Sequence, residues 1–300
     1  MELALVVNPT KQSSLAVVAE LRAGTRSGQH RLRLWAPHAA ELRARPDYAG
    51  ELDGLELTHD VRQSDVVVAL GGDGTLLQAV HLLQGAERPL LGINLGGLGF
   101  LTDTPEGETE AALACLLEGR YRLDARMLLE ATWQPEGRAP RTMTALNEVA
   151  MVHGSRSHLV AVAMRAGGVD LGGTLADGVI VATPSGSTAY SLSAGGPVVS
   201  PRLHALVVTP ISAHTLSMRP LVVSADETVE LELLPAPAAG AEVAVDGRAA
   251  GEVRAGERLL VRRAPRDLQL VKTQDGSFYD TLRTKLGWGH SERGDLRRGR

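Results

Sequence analysis

The chain has 300 residues, a formal net charge of −4 and a pI near 6.2, with 44% hydrophobic and 22% charged residues. It can bury the core of one large domain or two ordinary ones, and its acidic balance excludes a broad basic face for nucleic acid while leaving room for a local phosphate pocket. The single cysteine, Cys115, excludes an internal disulfide and a multi-cysteine metal site, and no run approaches the roughly 18 apolar residues of a membrane span.

The opening stretch, MELALVVNPT, carries a short buried strand over Leu3–Val7 that stops at Asn8-Pro9. It lacks the basic start and long apolar segment of an export signal, which with one cysteine predicts a cytoplasmic protein. Ser13 or Ser14 caps a helical stretch over Leu15–Ala23. Further short aliphatic runs follow at Leu32–Trp35, Val66–Leu70 and Pro89–Ile93, with helical patterns at Thr75–Leu83 and Glu110–Leu117 between and after them. This alternation predicts an open, mainly parallel α/β sheet. After about residue 125 the pattern changes to short β-rich runs at Leu128–Trp133, Val160–Met164, Val179–Ala182, Ala205–Val208, Thr228–Leu233, Glu242–Val245 and Arg258–Arg262. Their spacing predicts an antiparallel, sandwich-like β domain. Pro235–Gly240 reads as an exposed loop and the polar tail from Gly289 as disordered. Lysines occur only at Lys11, Lys272 and Lys285; the other basic side chains are arginines.

Gly71-Gly72-Asp73-Gly74-Thr75 falls between a strand and a helix, at the carboxyl edge where open sheets place ligands. Glycines bring backbone N–H groups close to phosphate oxygens, and the helix start adds the positive end of its dipole. An aspartate in such a loop is out of place for anion binding unless it holds magnesium or takes a proton. A bare GGxG is as readily a tight turn. The loop is not a Walker A sequence, because no lysine follows it, and Leu77 stands where a dinucleotide fingerprint needs its last glycine. A second loop, Asn94-Leu-Gly-Gly-Leu-Gly-Phe-Leu101, follows the next strand, which suggests that both line one crevice.

In the β-rich half, Ala145-Leu-Asn-Glu148 offers an amide and a carboxylate able to read sugar hydroxyls. Asp177-Gly-Val-Ile-Val-Ala-Thr-Pro-Ser-Gly-Ser-Thr-Ala-Tyr-Ser-Leu-Ser-Ala-Gly-Gly-Pro-Val198 joins a strand to a run of small and hydroxyl residues. Its one aromatic, Tyr190, is suited to stack on adenine.

The GGDGT string resembles the signature of a kinase superfamily that includes the NAD kinases and the diacylglycerol and sphingosine kinases, and phosphofructokinases carry a similar loop. The second loop, the Asn147-Glu148 pair and, above all, the Asp177–Val198 stretch are similar to NAD kinase segments. So are Pro210-Ile-Ser-Ala-His-Thr-Leu-Ser-Met-Arg-Pro-Leu221 and Asp280-Thr-Leu-Arg-Thr-Lys-Leu-Gly-Trp288, so that the resemblance spans roughly residues 3 to 288.

The resemblance implies an α/β domain, phosphofructokinase- or diacylglycerol-kinase-like, over 1–124 plus 268–288. That domain would bind nucleotide phosphates, a β-rich NAD-binding domain would occupy 125–267, and the C-terminal segment would return to the first domain. It implies transfer of the γ-phosphoryl of ATP, or of another donor, to the adenosine-ribose 2′-hydroxyl of NAD. Gly71, Gly72, Gly74, Thr75 and Asn94 would serve the phosphates and Asp73 would take the hydroxyl proton. Asn147 and Glu148 would hold the ribose and Asp177 the dinucleotide. Thr188, Ala189, Tyr190, Ser191, Leu192 and Ser193 would form the adenine pocket, and His158 would touch nucleotide. Magnesium would arrive with the nucleotide, with no dedicated protein metal site, and the protein would be a homo-oligomer, dimer or tetramer. Three positions depart from or qualify the pattern. Leu175 stands where some relatives have a basic residue; Arg248, where glutamine is common, either adds a phosphate contact or lies on the surface; and His214 is structural or catalytic. A lipid kinase of the same superfamily and a catalytically silent dinucleotide-binding regulator are the competing readings.

Overall fold

β1 (Glu2–Val7) is covered on both faces, which is why its sequence is an unbroken aliphatic run. It lies at the centre of a parallel array. β2 (Arg31–Trp35) and β3 (Glu56–Thr58) extend it on one side, β4 (Val66–Gly71) and β5 (Leu90–Asn94) on the other. The computed structural model describes residues 1–25, 30–97, 99–102, 104–154, 159–215, 217–235, 240–287, 290–291 and 294–295. His158, the middle of the Pro235–Gly240 loop, Trp288 and most of the tail from Gly289 lie outside them.

The chain forms two compact units, Met1–Asp124 with Gln269–Arg300, and Ala125–Leu268. In the first, the sheet continues beyond β5 through the returning strand Leu268–Lys272, parallel to β5 at Leu270 and Leu90, with β7 (Arg122–Arg126) beside that strand. The short β6 (Thr104–Pro105) also pairs with β5. Helices α1 (Ser14–Thr25), α2 (Ala36–Arg43), α3 (Asp73–Leu83) and α4 (Thr109–Leu117) connect the strands. Leu15, Val18, Leu21, Leu113 and Leu116 pack with Leu3, Leu5, Leu34, Val68 and Leu91 into one core. Chain order runs outward from β1 to β3 and then resumes on its other side at β4, so the topological switch falls between β1 and β4.

The second unit is two six-stranded antiparallel sheets. One is built from β8 (Leu129–Gln134), β9 (Arg141–Ala145), β11 (Val160–Ala166), β12 (Val169–Ala176), β16 (Val229–Leu233) and β19 (Arg258–Arg263). The other contains β10 (Glu148–His153), β13 (Gly178–Ala182), β14 (Ala205–Ile211), β15 (Leu221–Ser224), β17 (Ala241–Val245) and β18 (Arg248–Val253). Alternate residues of the two inner faces, among them Trp133, Met151, Val162, Val181, Leu231 and Val243, meet in a single core. β13 and β14 are buried throughout because their outer face is covered as well, with Ile180, Ala182 and Val207 packed on Val199.

Sequence periodicity located the centres of β1, β2, β4, β5, β8, β11, β13, β14, β16, β17 and β19 but missed β10, an aliphatic and largely buried strand, and α2, which follows Trp35 without a break and opens on Ala36-Pro37. It also missed β9, β12 and β18, whose exposed residues weaken the apolar signal.

His38 ties three elements of the first unit. Its Nδ1 accepts the Val7 N–H at 3.0 Å and its Nε2 lies 3.1 Å from the Gln78 amide. Only the neutral ring can accept at Nδ1. Burial lowers its pKa below the ordinary 6.5, and nearby Glu41 offsets this only in part. The unfolded ring therefore takes a proton that the folded ring refuses, and stability is full above pH 6.5 and falls as pH drops through and below that value. Urea midpoints at pH 7.5 and 5.5 should separate more for the parent than for His38→Gln; equal separations would remove His38 as a source of acid sensitivity.

Candidate active site

In the α/β unit, Gly71 ends β4, Gly72 is the N-cap of α3, and Asp73 is its first residue. The N–H groups of the first helical turn have no intrahelical acceptor and carry the positive end of the dipole. Nothing stands within 4 Å of where a Cβ would project from Gly72 or Gly74, so an anion can reach this backbone. Thr75 is buried and packs against Gly71.

The Asp73 carboxylate is turned onto the second loop. Its Oδ2 accepts the Phe100 N–H at 2.9 Å; its Oδ1 accepts the Leu101 and Thr102 N–H groups and the Thr102 hydroxyl, each at 3.1 Å. A Cβ on Gly99 would stand 2.2 Å from Oδ1, so only glycine permits this approach. Three donors saturate Oδ1, whereas Oδ2 keeps capacity for another hydrogen bond. Asn94 is buried and holds the same loop, its Nδ2 donating to the Gly97 carbonyl at 2.8 Å. The two glycine loops are thus joined through Asp73.

The β unit repeats the device. Asp246, in a left-handed conformation (φ 46°) beside Gly247, accepts the N–H groups of Leu146, Asn147 and Glu148 at 2.9, 2.7 and 3.0 Å. The Asn147 carbonyl takes the Thr183 N–H at 2.8 Å, and the Thr183 hydroxyl donates to the Leu146 carbonyl at 2.6 Å. Gly186 lies so close that a Cβ there would stand 2.0 Å from the Asn147 oxygen. The Thr183–Ser193 stretch is not an open loop. It forms one 3₁₀ turn over Gly186–Thr188 and then the short helix α5 (Tyr190–Ser193).

On β10, Val149 and Met151 enter the sandwich core, so Glu148, Ala150 and Val152 point to the other face of the sheet. There they line a cavity of about 400 Å³ with His153, Asp177, Tyr190, Ile211, Ala244 and Gly247. Glu148 is buried, and its Oε2 has no hydrogen-bond partner. Burial, with the neighbouring Asp246 charge, raises its pKa to about 7; the Tyr190 backbone N–H acts in the opposite direction. Tyr190 is 43% exposed. The cavity therefore presents an acid, an aromatic face and a second carboxylate to one ligand, within the size range of small-molecule sites.

Of the other predicted residues, Ala189 and Leu192 are half-buried and Ser193 is exposed. Ser191 is fully buried with its hydroxyl 2.8 Å from that of Thr209, and the Thr188 hydroxyl donates to the Ser185 carbonyl at 3.2 Å. Arg248 is exposed at the first position of β18, and His214 is exposed after β14. Sequence reasoning missed His153 and Asp246. β10 is buried on both faces over Glu148–Met151, so its sequence shows no alternation that would have singled out the cavity face, whereas the Asp246-Gly247 pair is a hairpin-turn signature.

Comparison with known proteins agrees with the sequence motifs. Residues 39–121 match the ATP-NAD kinase N-terminal domain and residues 146–273 the ATP-NAD kinase C-terminal domain. An NAD kinase of Gemmatimonas aurantiaca is 42% identical over 238 residues, covering 79% of this chain and 82% of its own. One of Moorella thermoacetica is 43% identical over 236 residues, 79% of this chain and 75% of its own. A crystal structure of yeast NADH kinase complexed with NADH superimposes with a TM-score of 0.89 at 25% identity, covering 99% of this chain and 90% of that one. An Archaeoglobus fulgidus NAD kinase in complex with ATP gives 0.72 at 25% identity, covering 96% and 98%.

A buried acid with a raised pKa is a stability liability. The folded protein holds the Glu148 proton more tightly than the unfolded chain, so its contribution is full below pH 4.5 and is lost as pH rises through about 7. Glu148→Gln should therefore be more stable than the parent at pH 8, by up to about 3 kcal/mol, with the gap closing at pH 5. Denaturant titrations at the two pH values measure it; a variant less stable at pH 8 would contradict the assignment.

Proposed function

The chain belongs to the NAD kinase family and is a phosphotransferase acting on a hydroxyl of NAD; from that premise we propose how its residues divide the work. The observation that carries the proposal is that Glu148, whose buried Oε2 has no hydrogen-bond partner among the described residues, lines a cavity together with Asp177 and Tyr190. A buried carboxyl lacking a partner is costly unless a ligand supplies one.

NAD binds at the β unit. Glu148 and Asn147 hold the ribose hydroxyls, Asp177 bonds the dinucleotide, and Tyr190 stacks on the adenine with Ala189, Leu192 and Ser193 around it. Ser191 and Thr188 shape the pocket through bonds within the protein. Arg248 follows the cavity-lining Gly247 and is free to reach a phosphate. Either form of Glu148 can bond a ribose hydroxyl: the charged form accepts only, and the neutral form both donates and accepts.

ATP is the donor, and its γ-phosphoryl goes to the adenosine-ribose 2′-hydroxyl to give NADP. The backbone at Gly72, Asp73 and Gly74, with the dipole of α3, receives the donor phosphates, while Gly71, Thr75 and Asn94 fix the loop. Asp73 takes the hydroxyl proton at Oδ2, the oxygen with remaining capacity. Phosphoryl transfer depends on alignment and charge neutralisation more than on covalent help. Magnesium would be carried on the donor phosphates, where it would neutralise their charge. No helix among the described residues is long and apolar enough to cross a membrane; the proposal extends to a cytoplasmic homo-oligomer with the α/β unit built on the phosphofructokinase-like plan.

A coupled assay of NADP formation from ATP, magnesium and NAD tests the roles. Asp73→Asn should lower turnover by about three orders of magnitude, with NAD binding retained; parental turnover would remove the proton-acceptor role. Tyr190→Ala should raise the KM for NAD about tenfold, as expected for one lost base stack, and an unchanged KM would take Tyr190 out of the pocket.

A further inference from the structure

Lys11 sits in the loop that leaves β1, four residues past Val7, on the sheet edge that also carries the glycine loop after β4 and the loop after β5. β1, β4 and β5 are successive neighbours, with Val7 level with Leu70 and Gly71 level with Asn94. The outer two are therefore about 10 Å apart, two strand spacings. Lys11 spans that gap. Its Nζ lies 3.2 Å from the point where Gly96, in the loop after β5, would carry a Cβ. The ammonium thus extends from the β1 loop to the β5 loop, on the edge where the β4 glycine loop lies between them.

The loop that presents Lys11 is built to hold one shape. The Arg45 guanidinium donates to three of its carbonyls, those of Pro9 at 3.2 Å, Lys11 at 2.6 Å and Gln12 at 3.1 Å. The Asn8 side chain accepts the Thr10 N–H at 3.0 Å and the Thr10 hydroxyl at 2.8 Å. The lysine head group itself has no ion pair or hydrogen bond among the described residues. A fixed backbone carrying a cation with no acidic partner among the described residues, at the switch point where an open sheet receives ligands, is the arrangement expected for a polyanion.

We infer that Lys11 is a phosphate-binding residue of the donor site, contributing the side-chain cation that the glycine loop lacks. The inference rests on the proposal that the donor triphosphate occupies the β4 loop. The glycine backbone supplies N–H donors and a partial positive charge; Lys11 supplies a full one. Its flexible stem and compact charge suit a phosphate whose position shifts during transfer.

The test compares the full-length parent with Lys11→Met and Lys11→Arg. Two readouts are needed: steady-state KM values for ATP and for NAD, and calorimetric binding of ATP and of inorganic tripolyphosphate. Lys11→Met should raise the KM for ATP and weaken tripolyphosphate binding by at least about tenfold, the effect of one charge-assisted bond. The KM for NAD should move less than about twofold, and Lys11→Arg should recover part of the loss. Equal ATP and tripolyphosphate affinities for parent and Lys11→Met would overturn the inference, and a parent that still makes NADP would leave the family reading intact. A parent that binds tripolyphosphate through Lys11 but makes no NADP would uphold the inference and overturn the proposed reaction. A loss shared equally between ATP and NAD would mark Lys11 as structural and overturn the inference.

Discussion

Irregular backbone has to find acceptors for its N–H groups, and here a carboxylate does this at each functional segment. Asp73 accepts three consecutive N–H groups and a hydroxyl from the Phe100–Thr102 stretch, and Asp246 accepts three from Leu146–Glu148. Neither segment can satisfy these donors through a helix or ladder of its own. A carboxylate has lone pairs for about four donors, so one side chain can order a run of residues. Each such bond is charge-assisted and stronger than a neutral one. Rigid loops follow, and rigidity is what a reaction governed by alignment requires.

The same arrangement explains why Glu148 is poised. Burial disfavours ionisation of the Glu148 side chain, and Asp246, which orders the backbone at Glu148, adds its charge in the same direction, raising the carboxyl pKa to about 7. Stability and the proposed function pull apart at this one residue: the fold would be served by an amide, whereas the proposed ribose contact uses an acid. Such a conflict is expected where a side chain waits for a partner that the protein does not itself provide.

What was legible in the sequence divides along physical lines. Aliphatic runs such as Val66–Gly71 and Leu3–Val7 announce themselves because a strand buried on both faces leaves no room for polar residues. Edge and outer strands such as β9, β12 and β18 do not, since half or more of their residues face water and read as loop. The glycine loops were legible because glycine spacing encodes close approach, as Gly99 against Asp73 illustrates. Asp246 was not legible as a site residue. Its role depends on contact with residues about a hundred positions earlier, which no local pattern records. His153 was hidden in the same way: it is the exposed last residue of β10, and the cavity beside it is completed by Ile211, Ala244 and Gly247, far along the chain.

A long motif also need not mean many ligand contacts. In the Asp177–Val198 stretch, Thr183, Ser187 and Ser191 are fully buried, and their hydroxyls are engaged with Leu146, Pro184 and Val199, and Thr209. Thr75 and Asn94 are likewise turned into the protein. These side chains specify the path of the backbone, and within these motifs few groups remain for the proposed ligand contacts, among them exposed glycine N–H groups, one oxygen of Asp73, and the Glu148, Asp177 and Tyr190 side chains at the cavity. A buried hydroxyl without its partner costs more than the bond contributed, so the inward residues are constrained by the fold itself. The motif is therefore a description of loop geometry, with the chemistry resting on the handful of atoms that the geometry leaves exposed.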